Sequence, residues 1–332
     1  MKAVVFDRFG PPEEVLQVRD VAEPGEPGPG QVRVRMLASP INPSDLHYIR
    51  GDYGKRPILP ATPGFEGVGI VEAAGSGLLA RRVRGKRVAV LNASTGNWQE
   101  KVIVPAQQAI PVPHDLPDEQ AAAFFVNPAS ALAMTRYVLK APRGAWLIQT
   151  AAGSALGRMV IRLGRYYGFR TINVVRRREQ GEELLRIGGD DFICTADESI
   201  PERVKTITGG AGVPFALDAV GGATGTGVIQ SLGNGGRMLL YGTLAGEPIQ
   251  IDSRVLIVGQ KRVEGFWLSE WMPSQGIMTK LGLIRKIGKL FREGIVTSEI
   301  GATFPLDEVK AAVRQAQVIG RQGKILLRIG AK

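Results

Sequence analysis

Short apolar runs, cut by proline and glycine, fill the first 125 residues of the chain. The runs that have the length of β-strands lie at residues 2–6, 15–18, 31–38, 67–73, 87–90 and 100–104. Several short strands separated by turn residues are typical of an all-β sandwich or barrel. We therefore predict that residues 1–125 form a barrel-like domain.

The pattern changes near Asp118, where helical stretches begin to alternate with apolar strands. The strand candidates are Trp146–Gln149, Arg170–Val175, Asp191–Cys194 and residues 215–220, 237–241 and 262–267. Strands that alternate with helices are typical of a doubly wound parallel sheet, the Rossmann fold. The expected fold class is α/β, with the Rossmann domain at residues 126–271.

The chain after Trp271 contains one amphipathic helix and one further strand. Apolar residues recur at helical spacing between residues 281 and 291, and residues 324–329 are almost continuously apolar. We expect residues 272–332 to return to the first domain and to complete it.

A strand, a tight turn and a helix follow one another between Ala145 and Gly168. A turn of small residues lets a pyrophosphate approach the backbone and lie at the positive end of the helix dipole. The glycine fingerprint of such turns is incomplete here, because Ala152 and Ser154 stand at two of its glycine positions. We predict a dinucleotide-binding turn whose contacts are Gly153, Ser154, Ala155, Leu156 and Gly157.

Three arginines, Arg176, Arg177 and Arg178, follow the second strand of this unit. Arg176 lies 19 residues after Gly157, where an NAD site places an acid for the ribose 2′-hydroxyl. A carboxylate would repel a 2′-phosphate, whereas a guanidinium can bind it with two hydrogen bonds. The sequence therefore predicts NADPH as the cofactor. The alternative is a solvated run of charges at a strand end.

The composition indicates in which cellular compartment the protein is expected. The single cysteine, Cys194, excludes an internal disulfide, and no apolar run reaches the roughly 20 residues of a membrane helix. Met1 leads almost directly into the first strand, which leaves no room for a signal peptide. We expect a cytoplasmic protein without membrane contact.

A formal net charge of +11 and a pI near 9.9 favour anionic partners. Cofactor phosphates, an acidic carrier protein and nucleic acid all fit this charge. The arginines are scattered, and the chain has neither zinc-finger spacing nor an aromatic and basic RNA-binding motif. We therefore expect no specific nucleic-acid partner.

A barrel followed by a Rossmann domain and a returning tail resembles the medium-chain dehydrogenase/reductase superfamily over the whole chain. Local motifs are similar to those of the mitochondrial-type trans-2-enoyl-CoA reductases, the 2-enoyl thioester reductases. These motifs are Ile41-Asn-Pro-Ser-Asp45, Gly51-Asp-Tyr-Gly54, Pro63-Gly-Phe-Glu-Gly67, Thr171-Ile-Asn-Val-Val-Arg176, Tyr241-Gly242 and Gly265-Phe-Trp-Leu-Ser-Glu-Trp271. The resemblance implies a GroES-like barrel and an NADPH-dependent oxidoreductase.

The ligand chemistry separates the chain from the zinc-dependent members of that superfamily. Catalytic zinc needs three ligands drawn from Cys, His and carboxylate, and a structural site usually has four thiolates. The chain offers one cysteine and two histidines, and Phe65 replaces the histidine of the family's Gly-His-Glu segment. We predict no metal site.

The resemblance implies roles for two aromatic residues. Tyr53 matches the tyrosine to which the enoyl reductases assign proton donation, and Trp267 matches a tryptophan that lines the site beside the nicotinamide. A tyrosine between glycines can also pack across a cleft without a catalytic role. An aromatic residue at a strand end is often part of a core.

Further cofactor contacts follow from position and from the resemblance. Tyr241 and Gly242 end a predicted strand at the carboxyl edge of the sheet, where nucleotides bind in open α/β folds. The resemblance implies additional contacts through Phe266, Leu268, Asn42, Asn127 and Lys324. The two asparagines each precede a proline and are also turn signals.

Three functions remain open from the sequence. The first is reduction of a 2-enoyl thioester carried on CoA or acyl carrier protein, the second is reduction of a quinone or enone by NADPH, and the third is RNA binding by a dinucleotide-binding protein. We also predict a homodimer in which residues 248–258 form an edge strand that pairs between subunits.

Overall fold

A computed structural model of the chain describes residues 1–54 and 56–330. The chain divides into two units, which are Asn127–Val296 and the remainder, Met1–Val126 with the chain from Thr297 onward. We predicted the return to the first domain at residue 272, whereas the second unit extends to Val296. An amphipathic stripe predicts that a helix buries one face, but it does not identify the domain against which that face packs.

The strands are short and lie mostly where apolar runs occur. In chain order they are β1 (Lys2–Val5), β2 (Gln17–Asp20), β3 (Gln31–Pro40), β4 (Glu66–Ala74), β5 (Arg87–Leu91), β6 (Lys101–Pro105), β7 (Ala109–Pro111), β8 (Trp146–Gln149), β9 (Arg170–Val175), β10 (Asp191–Cys194), β11 (Val213–Asp218), β12 (Leu232–Leu240), β13 (Arg262–Gly265), β14 (Ile300–Pro305) and β15 (Lys324–Arg328).

The helices are concentrated in the second half of the chain. They are α1 (Pro12–Val15), α2 (Pro43–Arg50), α3 (Leu78–Val83), α4 (Asp118–Ala122), α5 (Val126–Leu132), α6 (Ala155–Tyr167), α7 (Arg178–Arg186), α8 (Ile200–Ile207), α9 (Gly222–Gln230), α10 (Ser253–Gly259), α11 (Leu268–Trp271), α12 (Ile277–Arg292) and α13 (Val309–Gln317). None of those among the described residues is long and apolar enough to cross a membrane.

The first unit is organised around one mainly antiparallel sheet. Its strand order is β14-β15-β3-β4-β5-β7, and β6 also pairs with β3, along the first half of that strand. Along β3 the side chains alternate, so that Val32, Val34 and Met36 are buried while Arg33 and Arg35 are only partly covered. This alternation is expected where one face of a sheet covers a core and the other faces outward. The strand β15 lies beside β3, so the late part of the chain completes the early sheet.

The second unit contains a parallel sheet with the order β10-β9-β8-β11-β12-β13. The chain starts at β8, moves outward to β10, and then returns to continue from β11 on the other side of β8. Such an order places a topological switch point between β8 and β11, and ligands bind outside the carboxyl ends of the strands at that point. The predicted doubly wound sheet is therefore confirmed.

Several predicted strands differ from the structure; β12, for example, begins at Leu232 rather than at residue 237. Residues 15–18 are split between the end of α1 and the start of β2, and residues 262–267 leave the sheet after Gly265. The predicted edge strand at 248–258 is wrong, because Ser253–Gly259 is helical and the edge strand is β13. Asp252 caps this helix by accepting a hydrogen bond from the Arg254 N–H at 2.9 Å, and such capping favours a helix start over a strand.

Candidate active site

The turn between β8 and α6 has the geometry of a dinucleotide cradle. Ser154 caps the helix, since its Oγ accepts a hydrogen bond from the Gly157 N–H at 3.1 Å. A Cβ atom on Gly157 would lie 2.4 Å from the Ala152 carbonyl oxygen, so only glycine fits there. The first N–H groups of a helix have no partner within the helix and attract anions. The serine that replaces a fingerprint glycine thus helps to hold the turn in shape.

The three arginines lie exposed just after the buried strand β9. Arg178 begins α7, and its guanidinium lies 3.5 Å from an Asp197 carboxylate oxygen and 5.8 Å from the Phe192 ring centroid. Among the described residues, the guanidinium groups of Arg176 and Arg177 form no hydrogen bond or ion pair with the protein. These two side chains are consequently the ones available to bind an external phosphate.

A polar contact that we did not predict bridges the switch point. The Thr150 hydroxyl, directly after β8, donates a hydrogen bond to Asp218 at the end of β11, at 2.5 Å, and accepts one from the Ala219 N–H at 2.9 Å. Asp218 also accepts hydrogen bonds from the N–H groups of Val220 and Gly221. This contact fixes the two central strand ends and the loop after β11.

The end of β12 places Tyr241 and Gly242 at the same carboxyl edge. Burial raises the pKa of Tyr241, and its hydroxyl has no hydrogen-bond partner among the described residues. Such an unpartnered buried hydroxyl is unusual in a native structure. A Cβ atom on Gly242 would lie 2.8 Å from the Ala219 carbonyl oxygen, which explains the glycine. This edge therefore carries a buried donor that no described residue satisfies.

The next strand, β13, ends in the aromatic segment. The Phe266 N–H donates to the Leu240 carbonyl at 2.7 Å, which extends the pairing with β12 by one residue. Its buried ring lies 6.2 Å from the ring of Trp271. Trp267 is half-buried and precedes α11, which begins at Leu268. Asn127 lies partly exposed in α5.

The predicted residues of the second unit are therefore gathered at one edge of the parallel sheet, except Asn127. The turn after β8, the arginines after β9, Tyr241 after β12 and the aromatic segment after β13 all follow carboxyl ends of neighbouring strands. Small residues, free guanidinium groups and an unused hydroxyl are the donor set that a phosphorylated dinucleotide needs. The residues present fit NADPH.

In the first unit, Asn42 and Lys324 belong to a buried polar cluster with Asp45 and Glu66. The Asn42 amide donates to Glu66 Oε1 at 3.0 Å, and its Oδ1 accepts a hydrogen bond from Lys324 Nζ. The other Glu66 oxygen accepts from the Val126 N–H at 2.9 Å. Burial lowers the pKa of Lys324. Both ends of the Asn42 side chain are held, so its orientation is fixed by charged partners.

Asp45 connects this cluster to the segment that resembles a zinc-ligand motif. Its two carboxylate oxygens accept hydrogen bonds from the Asn42 N–H at 2.8 Å and the Phe65 N–H at 2.9 Å. Neither Asp45 nor Glu66 was predicted as a site residue from the sequence. In the part of the chain that the structure describes, no three His, Cys, Asp or Glu side chains lie close enough to hold a metal ion.

The stability of the protein should depend on the protonation of Asp45. Burial raises the pKa of Asp45 to about 7, compared with about 3.9 in an unfolded chain. The native state holds this proton more tightly, so the stabilisation is complete below about pH 4 and is lost as the pH rises to about 7. We expect Asp45→Asn to flatten that part of the pH profile of unfolding free energy, measured with urea.

The matched control for this prediction is Asp115→Asn, which removes an exposed loop carboxylate. In this variant the unfolding free energy should change with pH between 4 and 7 as it does in the unchanged protein. An Asp45→Asn protein with the same slope would show that Asp45 does not titrate in this range.

Tyr53 lies in the loop after α2 and is half-buried. Its ring centroid is 5.2 Å from that of Phe65, with the two planes inclined by 37°. Phe65 in turn contacts Tyr48 edge to face at 5.1 Å. The residue that replaces the zinc-ligand histidine therefore supports the ring of the predicted proton donor.

Both halves of the chain match known protein families. Residues 28–114 match the alcohol dehydrogenase GroES-like domain, and residues 155–282 match the family described as zinc-binding dehydrogenase. The chain is similar to the mitochondrial enoyl-[acyl-carrier-protein] reductase of Mus musculus, with 35% identity over 317 residues, 94% of this chain and 84% of that protein.

Two solved structures have the same fold. The Escherichia coli quinone oxidoreductase complexed with NADPH is 25% identical, with a TM-score of 0.90 over 99% of this chain and 100% of that one. The Etr1p complex with NADP and crotonyl-CoA is 26% identical, with a TM-score of 0.84 over 98% of this chain and 99% of that one.

Proposed function

Because the chain belongs to the medium-chain dehydrogenase/reductase superfamily, in the family of the mitochondrial enoyl-[acyl-carrier-protein] reductases, we propose that it reduces 2-enoyl thioesters with NADPH. The observation that carries this proposal is the similarity to an enoyl reductase along nearly the whole length of both chains. The enzyme is an NADPH-dependent oxidoreductase, and its α/β fold is that of its relatives.

When bound, NADPH would supply the hydride for the β-carbon of the substrate. The turn after β8 would hold its pyrophosphate, and Arg176 and Arg177 would hold its 2′-phosphate. Tyr53 donates its phenolic proton to the α-carbon. A phenol suits this role because its ordinary pKa of about 10 keeps it protonated at neutral pH. Trp267 lines the site beside the nicotinamide and the acyl group.

The carrier of the acyl group is either CoA or an acyl carrier protein. The net charge of +11 supports both, because it attracts the phosphates of CoA and the acidic surface of a carrier protein. The two carriers can be compared directly by measuring the rate of reduction of a crotonyl group on CoA and on acyl carrier protein, each at two salt concentrations.

A second candidate function is quinone reduction, which the fold shared with the Escherichia coli quinone oxidoreductase favours. We expect kcat/KM for crotonyl-CoA to exceed that for 1,4-benzoquinone when NADPH is saturating. If quinone turnover is the faster reaction, the thioester proposal fails and the quinone proposal replaces it.

The compartment and the assembly are also proposals. We propose a cytoplasmic location, although the mouse relative is named mitochondrial, and cell fractionation with an antibody would decide. We also propose a homodimer, because α10 exposes Ile257 and Val258 at 71% and 84%. Contiguous exposed apolar side chains often mark a protein interface. Sedimentation that gives only the monomer mass at micromolar concentration would exclude this dimer.

A further inference from the structure

A buried arginine joins the dinucleotide turn to helix α7. Arg158 follows Gly157 on α6 and is only 7% exposed despite its charge. Its Nη2 lies 2.7 Å from Glu183 Oε1 on α7, and its Nε donates to the Gly153 carbonyl oxygen at 3.3 Å. One guanidinium therefore contacts both the turn and the helix that follows the three arginines.

A second contact joins the same two segments. A Cβ atom on Gly153 would lie 1.9 Å from Nε2 of Gln180, a residue of α7. The amide of Gln180 thus occupies the space that any side chain on Gly153 would need. A side chain at this position would have to displace the Gln180 amide, so the turn and α7 are in direct contact here.

These contacts connect two parts of the proposed cofactor site. The turn holds the pyrophosphate, and Arg176 and Arg177 immediately precede α7. A 2′-phosphate and a pyrophosphate are separated by a fixed length of the nucleotide, so both are bound well only if the turn and the arginines are correctly spaced. Glu183 and Gln180 lie on the first two turns of α7 and can set that spacing.

We infer that Arg158, Glu183 and Gln180 are positioning residues that hold Arg176 and Arg177 at the distance from the turn that NADPH requires. The inference rests on the proposed use of NADPH. The effect of a charge change on nucleotide binding distinguishes a positioning role of these residues from simple electrostatic attraction of the cofactor. Loss of an acidic residue makes the region more positive and strengthens the binding of both NADPH and NADH, whereas a displaced α7 weakens the binding of NADPH selectively.

The ion pair is buried on one side only, because the Arg158 side chain is 8% exposed and that of Glu183 is 39% exposed. Removing Glu183 would leave the buried Arg158 guanidinium without its anionic partner, and the surrounding structure is expected to move to solvate that charge. The start of α7, which carries the arginines, is exposed, so we expect the displacement there.

The test is Glu183→Gln, which removes the charge and keeps the shape. Dissociation constants for NADPH and NADH are measured by nucleotide fluorescence on the full chain. We expect the preference for NADPH, the ratio of the two constants, to fall about tenfold, as is typical of coupling between neighbouring sites. The affinity for NADH should stay the same or rise slightly, because the lost negative charge no longer repels its phosphates.

Glu182→Gln is the matched control, because it changes the same charge one residue earlier on an exposed face of α7. Its NADPH preference should equal that of the unchanged protein. Gln180→Ala is a second variant that leaves the ion pair intact, and it should also reduce the preference. Thermal unfolding of each variant verifies that it is folded.

Two outcomes overturn the inference. Equal weakening of NADPH and NADH by Glu183→Gln would mean that the pair stabilises only the fold, and an unchanged preference in Gln180→Ala would mean that α7 does not set the spacing. Failure of the proposed function would give a different result. In that case the protein without any substitution would show no preference for NADPH, or would not reduce crotonyl-CoA.

Discussion

Tyr53→Phe should lower kcat for crotonyl-CoA reduction by about 10²–10⁴-fold, the usual contribution of general acid catalysis. The substitution removes only the hydroxyl, and the ring can keep its contact with Phe65 at 5.2 Å. NADPH affinity should not change, because Tyr53 has no part in the proposed nucleotide cradle. Single-turnover rates and nucleotide titrations measure the two quantities separately.

The control for Tyr53→Phe is Tyr48→Phe. Tyr48 contacts the same Phe65 ring, with 5.1 Å between ring centroids, and is buried. The proposal gives its hydroxyl no chemical role, so its kcat should stay close to that of the unchanged protein. Equal rates for the Tyr53→Phe variant and the unchanged protein would remove Tyr53 from the mechanism.

The second large effect concerns the cofactor. Arg176→Ala combined with Arg178→Ala should raise KM for NADPH by about 10- to 100-fold, since a hydrogen bond to a charged group contributes about 1.5–3 kcal/mol. KM for NADH should rise far less. Most of the effect should appear in the single Arg176→Ala variant, because Arg178 is already paired with Asp197.

Arg186→Ala is the matched control for the arginine variants. It removes the same charge from the far end of α7, about 12 Å along the helix from Arg178, and it should leave the ratio of the two KM values unchanged. If the Arg176→Ala variant raises KM for NADH and NADPH equally, the arginines do not recognise the 2′-phosphate.

Three neighbouring strands of the parallel sheet could be predicted to the residue. Strands β8, β9 and β10 begin and end where we predicted, at Trp146–Gln149, Arg170–Val175 and Asp191–Cys194. A strand covered on both faces is continuously apolar, and polar or small residues mark its ends. The secondary structure of short amphipathic segments is harder to predict. A short apolar run such as that around Ile257 fits a helix as well as a strand when periodicity alone is considered.

Most polar contacts of the candidate site could not be predicted from the sequence. Thr150 and Asp218 are 68 residues apart, and Asn42 and Lys324 are 282 residues apart. Local patterns carry no information about such pairs. The one signal that could have found Asp218 is its position after an apolar strand, because parallel strands bring their carboxyl ends to a common edge.

The pairing of β15 with β3 also constrains the order in which the protein can fold during synthesis. Residues 127–296 form the second unit without interruption, so this part can become native while the ribosome is still translating. The sheet around β3 is complete only after β15 is made. Until Lys324 emerges, Asn42 and Glu66 lack their cationic neighbour, so this buried polar cluster stays incomplete for most of the time of translation.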